Sequence, residues 1–124
     1  MSRSNDLRKL VQSQLKTVCD KVYYRQADSD AMYPHIVFKM RSINTGDLSR
    51  SDYILQIDVW DKSSSNLRVI DLADEVEDAL KSKNLPQSGI LPTFYTDNRT
   101  DVDDDDKSIK HIQIDIVVQL YERK

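Results

Sequence analysis

Ser51-Asp52-Tyr53-Ile54-Leu55-Gln56-Ile57-Asp58-Val59-Trp60-Asp61-Lys62 is the stretch that decides the fold class. Tyr53, Leu55, Ile57 and Val59 fall on one side of an extended chain. Ile54, Gln56, Asp58 and Trp60 fall on the other. Successive side chains of a strand point to opposite faces, so this alternation predicts a strand over 51–62 with one apolar side. Upstream, Pro34 sets an extended chain, and Ile36, Phe38 and Met40 alternate with Val37, Lys39 and Arg41. Asn44-Thr45-Gly46-Asp47 is a turn cluster, so the two runs make an antiparallel hairpin. Downstream, Ile112, Ile114, Ile116, Val118 and Leu120 alternate with His111, Gln113, Asp115, Val117 and Gln119, which predicts a strand over about 107–122. Ile90 to Thr100 reads as a further strand, with Pro92 near its start, where an edge tolerates proline. Asp101-Val102-Asp103-Asp104-Asp105-Asp106 reads as a loop, because like charges repel and aspartate is a poor strand former.

Two helices complete the pattern. Leu7, Leu10, Val11, Leu15, Val18 and Val22 form one helical stripe, predicting a helix over about 5–20 capped by Ser4, Asn5 or Asp6. Ser63-Ser64-Ser65-Asn66 offers N-caps for a second helix over about 65–82. Its stripe is Leu67, Ile70, Ala73, Val76 or Glu77, and Leu80, widened by Val69, Leu72 and Ala79. Asp71, Asp74, Glu75, Glu77 and Asp78 line its other side. Lys81 and Lys83 suit the helix dipole, Asn84 is a stop, and Pro86 forbids continuation. The expected architecture is a single α+β domain over residues 1–124. It is a two-layer sandwich in the order α-β-β-α-β-β, with a mostly antiparallel four-stranded sheet packed on two helices. The outer sheet face is mostly polar but carries Ile54, Trp60, Val117 and Tyr121, which suits partial cover by another subunit.

Composition removes several function classes. The chain has 124 residues, 39% apolar and 31% charged, wetter than the roughly 45–50% and about 25% of an average globular chain. Its only glycines are Gly46 and Gly89. Phosphate-cradling loops, the KH clamp and the nucleophile elbow all need paired glycines, so none is present. A net charge of −3 makes phosphate neutralisation a poor default, and no specific nucleic-acid partner is expected. The helix-first order also differs from the RRM and double-stranded-RNA modules. No apolar run reaches the roughly 18 residues of a membrane span. No apolar segment follows Met1–Asp6, so a cytoplasmic product without a signal peptide is expected. Cys19 has no partner for an internal disulfide. Its place at the end of the first helical stripe reads as a small buried hydrophobe rather than a reactive thiol.

Candidate chemistry is thin. Asp101, Asp103 and Asp105 open like a calcium loop, but the positions that need glycine and glutamate hold Asp106 and Ile112. The stretch reads as a solvated hairpin tip, with a weak cation site as the alternative. His35 and His111 lack metal-ligand spacing and read as exposed or hydrogen-bonded side chains. Asp71/Glu75 and Asp74/Asp78 read as a solvated helix face, since glycosidase chemistry would need them in a dry cleft. No catalytic, cofactor-binding or metal residue is assigned, no cofactor is expected, and the chain does not read as an enzyme.

The segment Tyr33-Pro34-His35-Ile36-Val37-Phe38, the run Ser51 to Asp61, and Leu91-Pro92-Thr93-Phe94-Tyr95 through Arg99, then an acidic turn and Gln113-Ile114-Asp115-Ile116, are distinctive. Together they resemble the small tail-completion, or tail-terminator, head–tail joining proteins of long-tailed bacteriophages and prophages. The resemblance runs in order over roughly residues 5–122. It implies an α+β subunit that closes into a ring, commonly a hexamer. The ring caps the growing tail tube, stops its polymerisation and presents a surface to the head connector. The implied partners are further copies of the chain, the tail-tube protein and the head connector protein. The implied places are the host bacterial cytoplasm during assembly and the tail or neck of the virion. No family motif of functional residues transfers position by position.

Trp60, on the outer face of the second strand, is the first interface candidate, with burial against its own helix as the rival reading. Tyr95 and Arg99 follow, because Tyr, Trp and Arg are over-represented among residues that dominate binding energy. The alternative function is a small cytoplasmic binding module with a weak cation site at the aspartate-rich loop.

Overall fold

Alternating apolar residues build the sheet as expected, with one strand more than the sequence shows. The structure, a computed structural model, describes residues 3–43, 50–81 and 90–122. The elements are α1 (Arg3–Lys16), β1 (Val22–Tyr24), β2 (His35–Ile43), β3 (Arg50–Lys62), α2 (Leu67–Lys81), β4 (Ile90–Val102) and β5 (Ile109–Glu122). The expected turn at Asn44–Asp47, the helix-dipole cation Lys83 and the stop signals Asn84 and Pro86 lie outside the described residues.

The sheet has five strands in the order β1-β2-β3-β5-β4. It is mixed, not wholly antiparallel: β1 runs parallel to β2, with Val22 beside Ile36 and Tyr24 beside Phe38. The expected four-stranded sheet and the order α-β-β-α-β-β are corrected by this strand. Helical spacing carries on past Leu15 to Val18 and Val22, but the helix ends at Lys16. There the Thr17 hydroxyl and amide both donate to the Gln14 carbonyl, at 2.6 and 3.1 Å, and close a tight last turn. Side-chain competition of this kind, together with β branching, disfavours further helix. Val22 then takes its buried place in β1. Cys19, 7% exposed, lies in the connection, and its thiol faces the Lys21 and Pro34 carbonyls. Burial pushes that thiol above its ordinary pKa, in keeping with an inert packing role.

The helix ends and strand ends differ by small, explicable amounts. α1 begins at Arg3, so Ser4, Asn5 and Asp6 lie within its first turn rather than before it. The Ser4 hydroxyl shares a 2.7 Å hydrogen bond with Tyr53, tying α1 to β3. At α2 the Leu67 amide donates to the Ser65 hydroxyl at 3.1 Å. The buried stripe of α2 is Val69, Leu72, Ala73, Val76 and Leu80, while Leu67 and Ile70 are exposed, so the helix is rotated from the expected stripe. β4 continues through Asp101 and Val102, which pair with Ile112 and His111 although the sequence reads there as a loop. Asp106 then turns the chain: it takes the Ser108 amide and hydroxyl at 2.9 and 2.7 Å, and β5 starts at Ile109.

Both helices cover one face of the sheet. α1 contacts α2, β1 and β4, and α2 contacts β3, β4 and β5. Inside, cross-strand rows run Ile36–Val59–Ile112, Phe38–Ile57–Ile114 and Leu55–Ile116, every member at most 2% exposed. Full burial of one such side chain is worth about 1.5–3 kcal/mol. At the end of β3 the buried residue is not apolar. Asp61 is fully buried and accepts from Nε and Nη2 of Arg68, in the first turn of α2, as well as from the Lys62 amide at 2.8 Å. Arg68 chiefly, against the cost of burial, holds the Asp61 carboxyl below its ordinary range.

Two outcomes follow. Phe38→Ala empties a fully buried site and is expected to cost about 3–5 kcal/mol in urea unfolding. Arg68→Ala is expected to lower Tm at neutral pH. Because the Asp61 pKa is depressed in the folded chain, its contribution is present above the unfolded value of about 3.9 and lost as pH falls through the lower folded value. The Tm difference between wild type and Arg68→Ala therefore shrinks on acidification; a difference that stays constant into acid contradicts the assignment.

Candidate interaction surface

Opposite the helices the sheet presents a polar face, and the strand register arranges it. His35 of β2, Trp60 of β3 and His111 of β5 stand directly across from one another. Cross-strand neighbours on one face lie within reach of aromatic side chains, so the three rings meet. Trp60 and His111 stack at 3.7 Å between centroids with planes 15° apart. His35 and Trp60 stack at 6.3 Å and 20°. Tyr33 and Tyr23 extend the row, 5.0 and 6.0 Å from His35. The result is a ladder of five rings across four strands and the approach to β2.

Hydrogen bonds fix both imidazoles. His111 Nε2 donates to Asp58 Oδ1 at 2.7 Å, and the Gln56 amide donates to Asp58 Oδ2 at 3.0 Å. Burial alone would raise the Asp58 carboxyl, but these two donors outweigh it and hold it below the ordinary range. Asp58 thus stays an acceptor, which fixes the plane of His111 against Trp60. His35 Nδ1 bonds the Met32 carbonyl at 3.0 Å, so Nδ1 carries its proton. Burial lowers the His35 pKa, favouring the neutral ring. Two concavities mark this face. A cleft of about 440 Å³ lies between the 25–33 segment and His35, Asp58 and Trp60. A second, of about 550 Å³, has Lys39 and Arg41 on one wall and Asp97 and Asp115 on the other.

The three residues singled out from the sequence do not form one patch. Trp60 is half-buried and lies on the face away from the helices, so its ring is not packed under its own helix. Tyr95 is 52% exposed on β4, opposite Val117 of the same outer face. Arg99 is on the other face. A bulge at Asp97 inserts one residue between Thr96, opposite Ile116, and Asn98, opposite Asp115. One extra residue reverses the alternation, so Arg99 sits opposite Ile114 on the helix side. There it binds Asp74 and Glu77 of α2 at 2.6 and 2.7 Å. The sequence alone does not show the ladder, since His35 and His111 read there as separate exposed or hydrogen-bonded side chains. The signal available was their shared alternation class with Trp60. At the aspartate-rich tip, Asp104 accepts the Asp106 amide at 2.9 Å. Among the described residues no three His, Cys, Asp or Glu side chains converge as a metal site, and no helix is long and apolar enough to cross a membrane.

Comparison with known proteins bears on the fold and the family. A solved chain described as "Virion of native gene transfer agent (GTA) particle" superposes with a TM-score of 0.77 at 13% identity, covering 97% of each chain. A second solved chain gives a TM-score of 0.68 at 13% identity, covering 100% of this chain and 99% of its own. At such identity these likenesses speak to the fold. No curated protein matches the sequence at comparable significance. The sequence profile described as "Tail completion protein gp17" matches residues 4–120. With that match spanning nearly every element of the fold, the chain belongs to the phage tail completion protein gp17 family.

Proposed function

We propose that this chain completes the phage tail as a structural, non-catalytic subunit. Copies close into a ring on the end of the tail tube, stop its growth and offer a surface to the head connector. The observation that carries this reading is the family match over residues 4–120. The chain would act during assembly in the host bacterium and remain at the tail or neck of the virion.

The outer sheet face supplies the docking surface in this reading. Its ring ladder is rigid before any partner arrives, because stacking and the Asp58 and Met32 bonds hold the imidazoles. A preset aromatic surface loses little side-chain freedom on docking. Trp60 is the central docking residue, and exposed Tyr95 is the second. Arg99, its charge taken by Asp74 and Glu77, serves to hold α2 against β4 instead.

Deleting the gene from a phage or prophage that encodes this chain is expected to yield heads and tails that do not join, with tails of uncontrolled length by electron microscopy. Supplying wild type restores particles. Supplying Trp60→Ala is expected to restore about tenfold fewer or less, the loss of one dominant contact, while the purified variant still folds cooperatively. Normal particle yield without the gene contradicts the proposed role.

A further inference from the structure

The two concavities of the outer face lie end to end. Trp60 and Asp58 line the first, and Gln56 and Ile54 line the second. These are alternate residues of β3, so they follow one another along one face of one strand. The floor passes from one concavity to the other where the Gln56 amide donates to Asp58 at 3.0 Å. From Ile54 to Trp60 a strand advances about 20 Å. The outer face therefore carries a trough along β3 rather than two separate hollows.

The walls at the Ile54 end differ in charge. Lys39 and Arg41 of β2 stand exposed on one side. Exposed Asp97 of β4 and half-buried Asp115 of β5 stand on the other. β2 and β4 are three strand steps apart in the sheet, which is about 14 Å. The floor between them is part apolar. Ile54 pairs with Val117, and both are half-buried, as is Trp60 farther along β3.

These dimensions select the kind of chain that fills the trough. β3 and β5, under its middle, have a paired strand on each side. The N–H and C=O groups of a sheet point in its plane toward those neighbours, not out of its face. An extended segment laid on the face would lose water from its own amides and carbonyls without replacing those bonds. An α-helix satisfies its backbone internally and is about 10–12 Å across with its side chains. At about 1.5 Å per residue, about 13 residues span the trough. Neither helix of a second copy supplies such an element, because the apolar stripes of α1 and α2 are already buried within their own subunit.

We propose that the trough receives one α-helix of the tail-tube protein. Its apolar stripe lies on Ile54, Val117 and Trp60. Its acidic side chains face Lys39 and Arg41, and its basic side chains face Asp97 and Asp115. The inference rests on the reading that this sheet face meets the tail, and adds which element of the partner docks there and with what charge pattern. In helix-in-groove recognition the apolar stripe supplies the anchors and complementary charge fixes the register.

Stapled helical peptides of about 13 residues, free of tryptophan, are the probes. The first carries an apolar stripe with Glu along one flank and Lys along the other. The second has the same composition with Glu and Lys interspersed on both flanks. The third is the first without its staple and with a central proline, which breaks the helix. Trp60 is the chain's one tryptophan, so its fluorescence reads binding in the trough. The segregated helix is expected to bind wild type at least about tenfold more tightly than the interspersed one, and the proline form not measurably. Lys39→Glu/Arg41→Glu, checked for folding by thermal melts, is expected to weaken the segregated helix about tenfold. The segregated helix is also expected to displace the chain from isolated tails. If it binds no more tightly than the interspersed peptide, if the proline form binds as well, or if the variant binds it unchanged, the helix proposal is overturned even where tails protect Trp60. If it fills the trough and leaves tail binding untouched, a tail helix is not the occupant and the proposal is overturned too. If tails bind without protecting Trp60, the reading of this face fails, and the proposal with it.

Discussion

Thirteen consecutive residue pairs join β3 to β5, from Arg50 against Tyr121 to Lys62 against Ile109. Everything else is placed by that register. A slip of one residue would turn Leu55, Ile57 and Val59 to the solvent side and bring Gln56 and Asp58 beneath the helices. In the correct register, one face buries Ile112, Ile114 and Ile116 against their β3 partners. The opposite face brings Trp60 to His111 at 3.7 Å. Core and surface are therefore two results of one constraint. The helices close the first face, and α2 is fastened at its start by Arg68 on buried Asp61 and along its side by Arg99 on Asp74 and Glu77.

This design has a consequence for how the chain acts. On the outer face the Trp60, His35 and His111 rings are held by stacking and by the bonds to Asp58 and the Met32 carbonyl. The polar face carries stacked rings and two concavities. Such features suit recognition by fit, in which complementary charge orients partners and a few aromatic residues dominate the binding.

Much of the fold was legible because long strands repeat their signal. Five alternating apolar residues in Ile112–Leu120, and four in Tyr53–Val59, outweigh any local exception. β1 was not legible for the opposite reason: Val22-Tyr23-Tyr24 is too short to show alternation, and Val18 and Val22 continue the α1 spacing by coincidence. The face of Arg99 was not legible either. It depends on one bulged residue at Asp97, with no glycine to mark it. The ring ladder depends on which residues of different strands stand opposite, and Trp60 alone carries no record of His35 or His111. Its neighbours become visible only when the β2–β3 and β3–β5 registers are known together.

In the proposed role, the sheet face away from the helices meets the tail. Hydroxyl-radical footprinting, read by mass spectrometry at single residues, tests it on the chain free and bound to isolated tails. Trp60 and Tyr33 are expected to become protected on binding while Leu67 and Ile70, exposed on the helix side, keep their free reactivity. Protection of Leu67 and Ile70 with Trp60 and Tyr33 unchanged would contradict it.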